Sequence, residues 1–230
     1  MIVKQLYLDA LQQSHVLAAG CTGSGKSVLL NNLIYTHLAS MDAAAVLLDP
    51  KRVGFTKWTD DARVIRHAVT PETIRSALAD CCQIMENRYS EMEYFRQEKT
   101  NRPHVYIYLD ELADLMFSDP QAVGHLLHLL RLGRAAGVHV VAATQDPSRK
   151  TLPASLQQNF TAVFALRCRS AIESRQIIGY KGAEDLPMHG QALYLTPEYR
   201  QPVRVNIDLL PPAQLAAAIQ PRQWIAAPAR

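Results

Sequence analysis

Val16-Leu17-Ala18-Ala19, followed at once by Gly20-Cys21-Thr22-Gly23-Ser24-Gly25-Lys26-Ser27, is the stretch that decides how this chain is read. The second segment fits GxxxxGK[ST] at every fixed position, the phosphate-binding Walker A pattern. Its context agrees with its mechanism. A short apolar strand precedes it, and Lys26–Ala39 follows with Val28, Leu29, Leu33 and Ile34 at helical spacing. Glycines let backbone N–H groups face phosphate oxygens without interference from Cβ atoms, and a helix N-terminus adds partial positive charge. The predicted nucleotide set is therefore Gly20, Cys21, Thr22, Gly23, Ser24, Gly25, Lys26, Ser27 and Val28. Lys26 is placed to neutralise the β- and γ-phosphates of ATP, and the Ser27 hydroxyl to ligate Mg²⁺.

Working outward, further apolar runs predict strands at Ala44–Leu48, His104–Leu109, Val138–Ala143, Ala162–Leu166 and Gln191–Leu195. Their near-continuous apolar character suits strands buried on both faces of a parallel sheet. Helical patterns lie between them. Pro71–Lys99 opens with Thr70 as N-cap, Pro71 at the first helical position and Glu72 in the first turn. Pro120–Ala136 carries Val123, Leu126, Leu127 and Leu130 at helical spacing and stops at Gly137. Strand and helix alternation predicts an α/β fold with a mostly parallel sheet flanked by helices. Residues 1–210 are read as one domain, and 211–230 as a tail with a short helix (Ala213–Ile219) and a loose end.

The strand Val105–Leu109 runs into Asp110-Glu111. Adjacent carboxylates at the C-terminal edge of a buried strand sit where open α/β sheets bind ligands. Asp110 could hold the Mg²⁺ shell and Glu111 could polarise an attacking water. The same pair also suits a helix N-terminus, where the dipole favours negative charge. Thr144 and Gln145 close the next strand, and Gln145 is placed either to hydrogen-bond a γ-phosphate or lytic water or simply to cap a loop. Arg134, in Arg131-Leu132-Gly133-Arg134-Ala135-Ala136-Gly137, has two readings. It complements a helix C-terminal dipole, or it is an arginine finger that reaches the ATP of a neighbouring subunit.

Composition bounds the rest. With 48% hydrophobic and 20% charged residues, the 230-residue chain is neither disordered nor fibrous. No apolar run is long enough to span a bilayer, and the N-terminus lacks a signal-peptide core. A cytoplasmic location is expected, with recruitment to a membrane or virion left to a partner. Cys21, Cys81, Cys82 and Cys168 form no CxxC spacing, so reduced thiols are expected rather than a zinc site or disulfides. The net charge of +3 hides an asymmetry. Residues 131–181 hold eight basic side chains against two acidic ones. A polyanion should meet that half of the chain.

Taken together, these segments resemble the FtsK/SpoIIIE motor domain of the HerA–FtsK superfamily of P-loop ATPases. The resemblance extends from about residue 14 to 205. It rests on the phosphate loop, Leu47-Leu48-Asp49-Pro50-Lys51, Met85-Glu86-Asn87-Arg88-Tyr89 and Leu109-Asp110-Glu111-Leu112-Ala113-Asp114-Leu115-Met116. It continues through Leu132-Gly133-Arg134-Ala135-Ala136-Gly137-Val138-His139, Ala143-Thr144-Gln145, Glu173-Ser174-Arg175, Gly182-Ala183-Glu184 and His189-Gly190. It implies a RecA-like core that assembles as a ring, usually a hexamer, with ATP between subunits and double-stranded DNA in the pore. By position, Lys26 and Ser27 then look like phosphate and Mg²⁺ ligands, and Asp110 and Glu111 like metal and catalytic carboxylates. Gln145 looks like the γ-phosphate sensor, Arg134 like the finger in trans, and His189 and Gly190 like neighbours of the adenine.

The chain departs from the family pattern at Cys21, at Ala171 and at Asp146-Pro147, where Ala, Lys and Arg-Pro are usual. The last two lie on loops expected to face DNA, where a carboxylate would repel phosphate. Arg149, Lys150, Arg167, Arg169 and Arg175 are the candidate compensating DNA contacts. The implied activity is ATP hydrolysis coupled to movement of double-stranded DNA. The expected setting is a mobile element or virus, in genome packaging or conjugative transfer, with a portal, relaxase or membrane-channel partner. The alternative is a secretion-linked or protein-handling ATPase of the same superfamily.

Overall fold

In the computed structural model, which describes residues 2–13, 15–41 and 43–220, eight strands form a single sheet. In chain order the elements are α1 (Ile2–Gln12), β1 (Val16–Ala19), α2 (Lys26–Ser40), β2 (Ala43–Leu48), β3 (Val64–Ala68) and α3 (Pro71–Phe95). Next come β4 (His104–Leu109), α4 (Leu112–Ser118), α5 (Pro120–Leu132), β5 (Val138–Thr144), α6 (Ala154–Gln157) and β6 (Ala162–Leu166). The last are α7 (Ala171–Ile178), β7 (Gln191–Leu195), β8 (Val203–Asn206) and α8 (Pro212–Ala218). The strand order is β3-β2-β4-β5-β1-β6-β7-β8. From β3 to β6 every pairing is parallel, while β6–β7 and β7–β8 are antiparallel.

The six predicted strands form; five are buried along nearly their whole length, while β7 buries only alternate residues. All seven residues of β5 and all five of β6 are buried. Two apolar layers cover the sheet. Leu78, Met85, Leu126 and Leu129 press α3 and α5 onto one face. Leu29, Leu33 and Ile34 of α2, with Leu11 of α1, press onto the other. Each such fully buried side chain contributes about 1.5–3 kcal/mol. The Tyr106 hydroxyl donates to the Leu11 carbonyl at 2.9 Å and ties α1 down.

Four elements in particular differ from the sequence-based expectation. β3 and β8 were not expected; both are partly exposed and carry charged residues, Arg66 in β3 and Arg204 in β8, within an apolar pattern. The long helix α3 ends at Phe95, where Arg96 adopts a left-handed φ of 52°. α5 ends at Leu132, four residues early, so Arg134 lies in a turn rather than on a helix. α8 forms as expected and docks: Gln214 Nε2 donates to the Tyr35 hydroxyl at 3.1 Å. The expected loose end falls on residues 221–230, outside the described residues.

This topology places the phosphate segment at the middle of the sheet. Chain order moves from β1 toward β4 on one side and toward β6 on the other, so the strand order reverses at β1. Crevices at such switch points, at the C-terminal ends of strands, are the binding places of open α/β sheets. Among the described residues, no helix is long and apolar enough to cross a membrane.

Candidate nucleotide site

The loop between β1 and α2 is pinned on both sides by neighbouring strands. The Gly20 amide donates to the Thr144 carbonyl at 3.3 Å, and the Cys21 amide to the Arg167 carbonyl at 2.8 Å. A Cβ on Gly20 would lie 2.9 Å from that Arg167 oxygen, which requires glycine there. Gly25, the N-cap of α2, has a left-handed φ of 98°, again a glycine conformation.

Beside this loop lies a cleft of about 560 Å³. Thr22, Gly23, Gly25, Lys26, Ser27 and Val28 form one wall. Lys51, Asp110, Gln145 and His189 face it from the strand ends and from the turn before β7. The volume suits a nucleotide-sized ligand. Four residues of the predicted set stay out of this wall. Gly20 and Cys21 have donated their amides elsewhere, Ser24 is buried at 1% exposure, and Gly190 uses its carbonyl to accept the Ile207 amide at 2.9 Å. They shape the loop and the turn instead of contacting the cleft.

Lys26 Nζ donates to the Gly20 and Cys21 carbonyls, both at 2.8 Å. Burial pulls its pKa down to about 8, against the opposing pull of Glu111. The ammonium therefore folds back on its own loop, next to the positions where phosphate oxygens would compete for it.

Asp110 and Glu111 diverge as adjacent residues leaving a strand must. Asp110 turns to the cleft and approaches the backbone of Gly54, where a Cβ would sit 3.1 Å from the carboxyl carbon. Burial raises its pKa, Lys51 opposes the rise, and Asp49 adds to it. Glu111 is 4% exposed. Its Oε2 accepts from Lys51 Nζ at 3.0 Å. Its Oε1 accepts from the amides of Gln145, at 3.1 Å, and Ala113, at 3.4 Å. Glu111 is thus also the N-cap of α4. The helix N-terminus reading of the pair is thus seen directly, while Asp110 lines the cleft and Glu111 lies buried beside it. Gln145 connects the two halves of the site: Thr22 Oγ1 donates to its side-chain oxygen at 2.6 Å, while its amide meets Glu111.

Lys51 is the residue to which sequence reasoning gave no role. Its only signal was its place in Leu47-Leu48-Asp49-Pro50-Lys51, just beyond β2. The neighbouring Asp49 is fully buried and accepts the Phe55 amide at 3.1 Å, which orders the loop carrying Gly54.

Arg134 lies at the opposite edge of the sheet. Its turn enters β5 at Val138, and Gln145 leaves that strand at the nucleotide edge. Seven strand residues separate the edges by about 23 Å. The guanidinium cannot serve the cleft of its own chain. The side chain is exposed, and among the described residues no hydrogen bond or salt bridge holds its guanidinium.

The basic candidates divide as well. Arg149, Lys150, Arg169 and Arg175 are exposed. Arg167 is committed, since its guanidinium donates to the Leu186 carbonyl and its own carbonyl holds Cys21. Asp146, expected to face outward, turns into its own loop. Its carboxylate accepts from the Ser148 amide at 2.9 Å and from Thr151 Oγ1 at 2.7 Å. Burial is countered there by these hydrogen bonds and by Arg169, and its pKa is lowered. The positive stretch 131–181 is consequently not one patch, because Arg131 and Arg134 precede β5 while the rest follow it.

Solved structures share this architecture. The conjugation coupling protein TcpA of pCW3, determined with ATPγS, superimposes with a TM-score of 0.77 at 21% identity, over 86% of this chain and 61% of its own. The cytoplasmic domain of the Thermomonospora curvata type VII secretion ATPase EccC gives 0.75 at 24% identity, over 86% of this chain and 26% of its own. These likenesses establish the RecA-like P-loop ATPase fold. Among curated proteins, the DNA translocase FtsK of Treponema pallidum is 32% identical across 94% of this chain. FtsK of Leptospira interrogans is 31% identical across 88%. The chain spans 30% and 24% of the lengths of these two relatives. The FtsK/SpoIIIE family model matches residues 1–103 and 95–149. The chain belongs to the FtsK/SpoIIIE family.

Proposed function

We propose that this chain is an ATP-hydrolysing motor that moves double-stranded DNA and works as a ring. The observation that carries the catalytic part is the convergence of Lys26, Asp110 and Gln145 on one cleft, with Glu111 buried behind its wall and hydrogen-bonded to the Gln145 amide and to Lys51. Lys26 leaves the carbonyls of its own loop for the β- and γ-phosphates. The all-oxygen donors Ser27 and Asp110 fit Mg²⁺, a hard cation that keeps several waters. Bound there, Mg²⁺ would neutralise charge developing on the phosphates. Glu111 accepts a proton from the attacking water once Lys51 releases it. Gln145, touching both Thr22 and Glu111, orients that water against the γ-phosphate. His189, exposed on the far wall, stands beside the base.

The place of Arg134 supports the ring. It is the turn's exposed cation, and its own cleft is out of reach. A neighbouring subunit's ATP is the partner that the finger reading requires. Arg149, Lys150, Arg169 and Arg175 are proposed to meet the DNA phosphates, without Arg167. The inward turn of Asp146 removes a repulsive charge that favoured a polypeptide substrate. Conjugative transfer or genome packaging in the cytoplasm is the proposed setting, supported by the shared fold with TcpA; relaxase or capsid genes beside the coding sequence would test it. The test of the motor itself is ATP turnover of assembled protein with and without linear double-stranded DNA at two salt concentrations. DNA should stimulate turnover, and the stimulation should weaken as salt rises. Absence of stimulation at low salt overturns the DNA reading.

A further inference from the structure

The turn from Leu132 to Gly137 leaves no carbonyl without a partner. Leu132 O accepts from the Tyr89 hydroxyl at 2.7 Å, and Gly133 O from the Val138 amide at 2.9 Å. Arg134 O accepts from Gly137 at 3.2 Å, and Ala135 O from Thr100 at 3.0 Å. Gly137 O takes the Val105 amide at 2.9 Å. Ala136 O is held by Arg88 Nη1 at 2.7 Å, which also lies 3.3 Å from Gly137 O. The other arm of the same guanidinium, Nη2, donates to Pro103 O at 2.7 Å. One planar group thus joins the turn to the segment that enters β4, while Arg88 and Tyr89 sit side by side on α3.

Several features point to positioning rather than simple packing. A hydrogen-bonded guanidinium is a rigid fork, so it sets direction as well as distance. It is half-buried, and burial lowers its pKa, with Glu91 opposing the shift and Arg102 adding to it. The backbone under Arg134 is held at six successive carbonyls, whereas the Arg134 side chain is exposed and unheld. A side chain that must reach across a gap gains accuracy from a backbone that cannot shift.

We infer that Arg88 is a positioning residue for the trans-acting Arg134, holding the turn so that the guanidinium meets the ATP of the adjacent subunit. This rests on the finger reading of Arg134. Arg88 touches neither nucleotide nor DNA in this assignment. Its loss should leave the cleft of its own subunit intact and impair the neighbour's.

Subunit mixing in the full-length, assembled protein tests it, with ATP turnover and binding of a fluorescent ATP analogue as readouts. Arg134→Ala should lower turnover by about a thousandfold. Arg88→Ala should lower it by about a hundredfold, the cost of a small misplacement, with analogue affinity unchanged within about twofold. Arg88→Lys keeps the charge and one contact and should fall between; it carries the test if Arg88→Ala fails to fold. Arg88 variants mixed with Lys26→Ala subunits should recover activity, because some interfaces then pair an intact cleft with an intact finger. Mixed with Arg134→Ala, they should recover none. Normal turnover in Arg134→Ala overturns the finger reading and this inference with it. Reduced turnover in Arg134→Ala with normal turnover in both Arg88 variants overturns this inference alone. So does recovery when Arg88 and Arg134 variants are mixed.

Discussion

The two edges of the sheet are built on opposite plans. At the C-terminal edge, chain segments after β1, β4 and β5 converge on a cleft, and their polar groups hold one another in interim pairings. Lys26 sits on its own loop's carbonyls, and Glu111 is met by Lys51 and Gln145. At the N-terminal edge, the turn before β5 has every carbonyl from Leu132 to Gly137 in a hydrogen bond. One edge is arranged to exchange partners when a ligand arrives. The other is arranged to keep its shape and present one side chain. In the proposed ring, an ATPase working between subunits would need both, one on each face of an interface.

The sharpest way to break this contrast is to disable the exchanging edge without disturbing the fixed one. Glu111→Gln keeps the shape of the side chain and removes its basicity. Turnover should fall by about 10²–10⁴-fold, while the fluorescent ATP analogue still binds; a variant that hydrolyses at the parent rate removes Glu111 from its role.

A smaller and purely structural effect is expected at the fixed edge. A Cβ on Gly133 would lie 2.2 Å from the Val138 carbonyl oxygen and 2.6 Å from that of Leu129. Gly133→Ala should cost about 3 kcal/mol or more through overpacking, lowering the melting temperature by about 6–12 °C. Calorimetry would check it. An unchanged melting temperature would show that the turn yields, against the plan described.

The smallest effect per residue concerns pH, and it comes from buried histidines that anchor both layers. Burial pulls the His15 pKa down to about 3 and that of His37 to about 4. His15 Nδ1 accepts the Val140 amide at 3.0 Å, and His37 Nδ1 and the Tyr108 hydroxyl share a hydrogen bond at 3.1 Å. In the unfolded chain both would titrate near 6.5. Their stabilising share is therefore complete above about pH 6.5 and declines as pH falls toward 3–4. Between pH 7.5 and 5 each should withdraw roughly 2 kcal/mol. Urea midpoints at the two pH values measure it, and His15→Asn should reduce the difference.

Much of this was legible in the residues. Five of the six predicted strands declared themselves through near-continuous apolar runs, since β1, β2, β4, β5 and β6 contact protein on both faces, whereas β7 buries only alternate residues. The phosphate loop did so through glycines that its geometry demands. β3 and β8 did not, because partly exposed strands carry charges such as Arg66 and Arg204 that dilute the pattern. The place of Lys51 was hidden for another reason. Sixty residues separate it from Glu111, and only the parallel pairing of β2 with β4 brings them together. Asp146 misled because sequence gives a side chain's charge but not its direction. The donors to its carboxylate lie two and five residues ahead in its own loop, an arrangement typical of Asp in turns. The end of α5 was set four residues late because Ala135 and Ala136 are good helix formers, yet the chain must turn there to enter β5.

The anchoring of the phosphate loop has a mechanical side. Gly20 is tied to the carbonyl of Thr144 and Cys21 to that of Arg167. Thr144 is the last residue before Gln145 and the segment carrying Arg149 and Lys150; Arg167 opens the segment carrying Arg169. A displacement of the loop as phosphate is bound or lost therefore pulls on two backbone tethers. Each tether leads, within six residues, to an exposed cation that is proposed to meet DNA phosphates. In the proposed motor the sheet would then serve as a drive shaft: two hydrogen bonds would link the place where fuel is consumed to the places where load is applied.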